Sequence, residues 1–240
     1  MIISGLDKLT LLDYTGKVAS IVFTGGCNFR CPYCHNGEMV KYPKNNIIAV
    51  EEVYDYLKKR VSVLDGVVIS GGEPLIHEDI DDFMADIKEL GYAIKLDTNG
   101  SCPEHLKKVI DKGLVDYVAM DIKGAPDKYG LITGRDSDDV SLTEKIKASV
   151  EIIMSSGVDY EFRTTYVKGL HDIEDAEEIG KLIRGAKRYF VQNYKESDRI
   201  LVKLDDMGGV SDISLQPFEE DELKKIRNTI TQYVGDVKVR

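Results

Sequence analysis

Short apolar runs and helix-period segments alternate about six times along this chain, and that alternation restricts the fold more than any other feature. The runs "KVASIVFT" (17–24), "GVVIS" (66–70), "YAIKLD" (92–97), "LVDYVAMDI" (114–122), "DYEFRTTYV" (159–167) and "RYFVQNY" (188–194) are rich in Val, Ile and aromatic residues. Such runs read as strands, and most of them stop at Gly or another turn residue. Between them Val50, Val53, Leu57, Val61 and Leu64 recur at three- and four-residue steps, as do Ile80, Phe83, Ile87 and Leu90. That is the period of one helix face. Pro103 suits the first turn of a short helix. Ser141 and Glu144 form a capping-box pattern for a helix carrying Leu142, Ile146, Val150 and Ile153. A further helix is expected over 172–184, and Pro217 is expected to open a last one with Leu223, Ile226, Ile230 and Val234 on one face.

Repeated strand–helix units imply parallel strands joined by right-handed crossovers. An open doubly wound sheet and a barrel both satisfy this. The polar, Gly-rich stretches 25–36, 71–74, 97–100 and 121–124 all follow the C-terminal ends of strands. Both architectures place the site at that edge, and four strand ends meeting at one mouth favour a curved, barrel-like sheet. The expected fold is therefore α/β, a partial (β/α)6 TIM-like barrel in a single domain 1–240. Its core spans about 15–203, and the extension 204–240 carries a closing C-terminal helix.

Charge and composition exclude some classes of function. The formal net charge of −10 argues against a partner with a phosphate backbone, so no nucleic acid is expected. No apolar run approaches the roughly 20 residues of a membrane span, and the start "MIISGLDKLTLLDYTGK" lacks the parts of a signal peptide. The expected location is cytoplasmic, with no membrane partner. Clustered cysteines in that compartment read as metal ligands or catalytic groups rather than disulfides.

Three of the four cysteines fall within eight residues, as Cys27-x3-Cys31-x2-Cys34. Thiolates suit zinc or iron–sulfur clusters. With His35 the loop could offer a Cys3His zinc site, although adjacent Cys34 and His35 would both have to turn onto one ion. The other reading is a [4Fe–4S] cluster with three protein thiolates and one iron left open, where four cysteines are usual. Cys102 is remote in sequence, and its plainer reading is a lone, partly buried thiol.

"CNFRCPYC" resembles the CxxxCxxC signature of the radical S-adenosylmethionine superfamily, and Gly71-Gly72-Glu73-Pro74 resembles that family's GGEP segment. The resemblance implies a [4Fe–4S] cluster on Cys27, Cys31 and Cys34, with S-adenosylmethionine chelating the open iron. Tyr33 would lie beside its adenine, and Gly71, Gly72 and Glu73 by its methionine amino group. Asp97-Thr98-Asn99-Gly100 and Asp121-Ile122-Lys123 resemble the DTNG and DxK segments of glycyl-radical-enzyme activases. In that group Asp97 and Asn99 would face the cofactor and Lys123 would pair with its carboxylate. Asp97, Thr98, Asp121 and the carbonyl of Ala119 could hold a monovalent cation. Arg163 and Thr165 on the fifth strand and Gln192 on the sixth could also face the cofactor. The His that such activases carry after the sixth strand is absent, and "VQNYKESD" stands there instead. His77 reads as a residue at a helix start, and His105 and His171 read as surface residues.

The opening "GLDKLTLLDYTGKVASIVFTGGCNFRCPYCHN" resembles anaerobic ribonucleoside-triphosphate reductase activating proteins, and His35-Asn36 is shared with pyruvate formate-lyase activases. The resemblance implies a radical SAM oxidoreductase. It would cleave S-adenosylmethionine reductively to methionine and a 5′-deoxyadenosyl radical, which takes hydrogen from a glycine of a partner glycyl radical enzyme. With ligands for only one cluster encoded, a flavodoxin or ferredoxin is the expected electron donor. Two alternatives stand beside this: a radical SAM enzyme acting on a small molecule, as in 7-carboxy-7-deazaguanine synthase, and a non-enzymatic zinc or electron-transfer module. The stretch 35–45 is the candidate partner-binding collar, and its Gly37 and Pro43 argue against a regular element.

Overall fold

The strand and helix periods of the sequence resolve into one eight-stranded sheet wrapped by helices, in a computed structural model that describes residues 1–41, 47–135, 140–204 and 214–240. The strands are β1 (Ile3–Thr10), β2 (Ala19–Thr24), β3 (Gly66–Gly71), β4 (Ala93–Thr98), β5 (Tyr117–Asp121), β6 (Asp159–Tyr166), β7 (Arg188–Asn193) and β8 (Asp236–Val239). The helices are α1 (Gly37–Val40), α2 (Val50–Lys58), α3 (Ile80–Glu89), α4 (Pro103–Asp111), α5 (Tyr129–Thr133), α6 (Val140–Ser155), α7 (Asp175–Leu182), α8 (Leu201–Leu204) and α9 (Glu220–Ile230). Spatial order follows chain order from β1 to β8; β2 to β8 pair in parallel, β1 lies antiparallel on β2, and the sheet does not close. The expected partial barrel is thus present. It gains an antiparallel first strand and a parallel eighth strand that the six-strand reading did not contain.

The two-residue strand period sorts the side chains by face. Ile69, Leu96, Met120, Phe162 and Val191 join the large core beneath the helices. Ile21, Val68, Tyr117 and Ala119 form a smaller cluster on the concave face. Lys95 and Glu161 are also buried on the concave side, two residues before Asp97 and Arg163 on their strands. The interior is therefore apolar at its base and charged towards the C-terminal strand ends.

Several boundaries differ from the periodic reading. The helix α2 stops at Lys58, so Val61 falls beyond it and is half exposed. The helix α6 already includes Val140, so Ser141 lies within its first turn rather than ahead of it. Pro217 does not open α9. The chain turns at Phe218, where Asn193 holds both backbone groups, and the Glu222 carboxylate then caps the Glu219 N–H at 2.7 Å.

Glycine at 71 and 72 is required by backbone packing rather than by space for a ligand. A Cβ on Gly72 would stand 1.9 Å from the Gly26 carbonyl oxygen, and one on Gly71, at φ +108°, 2.4 Å from that of Thr24. The two strand ends close on each other there, with Gly72 N–H donating to Thr24 O and Glu73 N–H to Gly26 O. Gly72→Ala should cost about 3 kcal/mol or more, lowering the melting midpoint by about 6–12 °C. Gly91→Ala, at positive φ but with nothing within 4 Å of its added Cβ, should cost about 1 kcal/mol. Anaerobic thermal melts of both variants check the contrast; equal midpoints would contradict it.

Candidate active site

The cysteine loop has almost no regular structure, yet its backbone polar groups are taken up by distant elements, as buried backbone requires. Gly26 N–H donates to Met39 O and Cys27 N–H to Val40 O; Arg30 N–H reaches Thr133 O at 2.7 Å. From the far side, Leu201 N–H donates to Cys34 O and Val202 N–H to Pro32 O. Asn36 Nδ2 donates to Gly71 O at 3.1 Å. Gly37 fits against α8 only without a side chain, since its Cβ would lie 2.9 Å from Arg199 O. The expectation of an irregular collar is corrected here: Gly37–Val40 is the short helix α1. Residues 42–45 of that stretch lie outside the described residues.

Cys27, Cys31 and Cys34 all line one cavity of about 440 Å³ at the C-terminal strand ends. Burial pushes the Cys27 thiol up to about 11 and Cys31 to about 12, and raises Cys34 as well. These groups stay protonated until a metal displaces the protons. Cys102 does not line this cavity. It precedes α4, with its sulfur 3.7 Å from Ser101 Oγ.

Opposite the thiols runs a row of alternating charges. Asp121 lies in register with Arg163 across β5 and β6, and Arg163 Nε sits 2.7 Å from Asp121 Oδ1. Arg163 Nη2 reaches Asp97 Oδ2 at 3.2 Å, Lys95 Nζ meets Asp97 Oδ1 at 2.9 Å, and Lys123 Nζ meets Asp121 Oδ2 at 3.3 Å. Ser70 Oγ also donates to Asp97 Oδ2. Burial works against each of these charges, but the guanidinium and ammonium groups hold both carboxyls below the usual range. In turn, against its burial, Lys123 is held well above its usual value, chiefly by the Asp121 carboxylate.

Asn99, Thr165 and Gln192 complete the lining. Asn99 Nδ2 binds Asn28 Oδ1 at 3.0 Å and approaches Cys27 Sγ at 3.8 Å. Thr165 and Gln192 pair in register on β6 and β7. Tyr33 is buried in the wall, and among the described residues its hydroxyl has no hydrogen-bond partner. After β7, Tyr194 stacks on His35 with ring centroids 6.1 Å apart.

Four expectations need correction. Glu73 does not line the cavity: it is fully buried behind the glycines and accepts hydrogen bonds from Thr98 Oγ1, Asn99 N and Leu75 N at 2.6–3.2 Å. Thr98 spends its hydroxyl on Glu73 rather than on a monovalent cation, and Lys95, Arg163 and Lys123 pair with Asp97 and Asp121, with Asp97 Oδ1 held by the Lys95 ion pair and, among the described residues, by no hydrogen bond. His171 is not a surface residue; it is 2% exposed, with Nε2 2.8 Å from the Lys123 carbonyl and its ring against Tyr33 and Tyr166. His105 is only partly exposed, its two ring nitrogens on Leu75 O and Asp81. Lys95 joins the charged row without having been expected there; its signal in the sequence is a lysine inside "YAIKLD", two residues before Asp97.

Residues 21–183 match the Radical SAM superfamily profile. The chain belongs to the radical SAM superfamily. A Methanocaldococcus jannaschii protein provisionally named a glycyl-radical enzyme activating enzyme is 31% identical over 240 residues, covering 100% of this chain and 95% of that one. The pyruvate formate-lyase-activating enzyme of Clostridium pasteurianum is 31% identical over 142 residues, 55% of this chain and 57% of that one. Among solved structures, Streptococcus suis SuiB bound to S-adenosylmethionine shares the fold with TM-score 0.62 at 16% identity, over 92% of this chain. This chain spans about half of SuiB, 51% of its length. Membership implies a [4Fe–4S] cluster and S-adenosylmethionine. The radical SAM cavity fits both: three thiols on one wall, an unpartnered phenol, and a charged row facing them.

The Glu73 carboxyl, raised by burial against its three donors, titrates at about 7 rather than 4.5. Between those pH values the folded state keeps a proton that the unfolded chain has lost, so this group's contribution to stability falls as pH rises through that window. The loss is of the order of 3 kcal/mol. Glu73→Gln should remove this slope. Denaturant titrations of both proteins at pH 5 and pH 7.5 check it, and parallel profiles would contradict it.

Proposed function

We propose that this protein is an activase that installs a glycyl radical on a partner enzyme, most specifically an anaerobic ribonucleoside-triphosphate reductase. Residues 1–240 act as one radical SAM domain in the cytoplasm. The observation that carries the reading is the row Asp97, Arg163, Asp121 and Lys123 facing three thiols across one cavity. It is supported by an end-to-end relative whose provisional name states that activity.

In this reading Cys27, Cys31 and Cys34 hold the cluster. Bound there, cluster and S-adenosylmethionine supply one-electron cleavage of a C–S bond, with the electron coming from a flavodoxin or ferredoxin. The chain's own residues bind and orient. Lys123, anchored by Asp121, offers its ammonium to the methionine carboxylate. Asn99 stands beside Cys27, and Tyr33, Thr165 and Gln192 line the wall open to the nucleoside. His171 fixes the Lys123 backbone from behind. No side-chain acid or base takes part in breaking the C–S bond. The mouth of the cavity would admit the partner's glycine, from which that chemistry would take a hydrogen atom, leaving the radical on the partner.

Two experiments test this. After anaerobic reconstitution, Cys27→Ser, Cys31→Ser and Cys34→Ser should each lose cofactor cleavage, while Cys102→Ser keeps it and about four irons. Loss of iron in Cys102→Ser would contradict the three-thiol assignment. Mixed with the reductase, a reductant and S-adenosylmethionine, the protein should produce a doublet electron-spin signal on the partner. Deuterium on that glycine should appear in 5′-deoxyadenosine. If the label stays in the partner while a small molecule is consumed, the activase reading fails.

A further inference from the structure

We infer that Lys95 is a built-in counter-charge for Asp97, standing in for a monovalent cation, so that S-adenosylmethionine binds here without an alkali ion. The inference rests on the cofactor reading above.

Lys95 is an unusual residue for its place. It lies in the middle of β4, a strand flanked by β3 and β5, and is 4% exposed. A long cationic side chain is almost never buried there without a partner. The strand period turns Lys95 and Asp97 to the same concave face, while Ile94 and Leu96 join the core under the helices. Lys95 Nζ then meets Asp97 Oδ1 at 2.9 Å.

Oxygen by oxygen, the row leaves little for an added ion. Asp97 Oδ2 takes Arg163 Nη2 at 3.2 Å and Ser70 Oγ at 3.0 Å. Asp121 Oδ1 takes Arg163 Nε at 2.7 Å, and Oδ2 takes Lys123 Nζ at 3.3 Å. The Thr98 hydroxyl donates to Glu73 and accepts from Gly100 N–H. Each carboxylate oxygen faces a protein cation, Asp97 Oδ1 through the Lys95 ion pair alone and without a hydrogen bond among the described residues, and an alkali ion would have to enter against three cations. Hard cations need several oxygens with free lone pairs.

The charge count points the same way. Lys95, Arg163 and Lys123 oppose Asp97 and Asp121, leaving the row with one positive charge in excess, while Lys95 itself lies behind the residues that line the cavity. Glu161, buried deeper on the same face, is satisfied by Tyr117 Oη at 2.8 Å and Arg240 at 3.4 Å. One excess charge matches a ligand bearing one carboxylate. Without Lys95 the row would be neutral, and a bound alkali ion would be the natural way to restore that charge. Lys95 is thus a positioning residue: it holds Asp97 and sets the field without touching the ligand.

The test uses the full chain with its cluster reconstituted anaerobically. S-adenosylmethionine is titrated by calorimetry with N-methylglucammonium as the sole cation, then with sodium or potassium at equal ionic strength. The wild type should change its dissociation constant by less than about two-fold. Lys95→Met should bind weakly in N-methylglucammonium and recover at least several-fold on adding sodium or potassium. Its melting midpoint and iron content, followed in both buffers, separate rescue of the site from rescue of folding. A wild-type affinity that rises about ten-fold or more, saturably, with an alkali ion would overturn the inference alone. So would Lys95→Met binding like wild type without one. If Lys95→Met does not hold its cluster, the wild-type titration decides. No binding by the wild type in either buffer would overturn the cofactor reading, and this inference with it.

Discussion

The Arg163 guanidinium bridges two carboxylates that no single strand could bring together. Asp97 stands one residue before the end of β4 and Asp121 ends β5, and the two like charges are only partly exposed at the mouth. Left unpaired, they would repel and would be costly to bury. The parallel register of β5 on β6 sets Arg163 opposite Asp121, and its planar fork spans to Asp97 as well. With that bridge in place, three neighbouring strand ends stay together at the mouth, and Lys95 and Lys123 extend the row on either side. The row faces the three thiols across one cavity.

The cysteine loop depends on the same mouth. It carries no ladder of its own, so its hydrogen bonds are made by α5, α1 and α8. Residues late in the chain therefore hold the loop that follows β2, through Leu201 on Cys34 and Val202 on Pro32. Glycine-only contacts at Gly72 and Gly37 lock that loop to β3 and α8. Behind it Glu73 ties the end of β3 to the end of β4 through Thr98 and Asn99. Rigid support of this kind keeps ligand side chains in place around a cofactor.

Most of the sheet was legible because buried parallel strands read as Val/Ile-rich runs and their helices as three- and four-residue repeats. The strand β1 escaped because "ISGLDKLT" mixes polar residues with few apolar ones, and it pairs antiparallel at an edge. The strand β8 has only four residues, too few for a period. The site's ligands were legible as spacing, and the cavity gathers nearly all of them. What the sequence concealed was direction. Glu73 sits in the motif with Gly71 and Gly72, yet turns away from the cavity. Thr98 reaches the cavity wall but spends its hydroxyl on Glu73. His171 stands in a polar loop, but that loop folds inward over Lys123. Local sequence carries no signal for such long-range closure.

The central claim is that one excess positive charge beside a three-thiolate cluster admits a single chelating carboxylate to the remaining iron. Electron–nuclear double resonance on the reduced, reconstituted protein tests it most directly, using S-adenosylmethionine with a ¹⁷O-labelled carboxylate and a ¹⁵N-labelled amino group. The account predicts hyperfine coupling of both labels to the cluster. An intact cluster with saturating cofactor and no coupling to either label would contradict it.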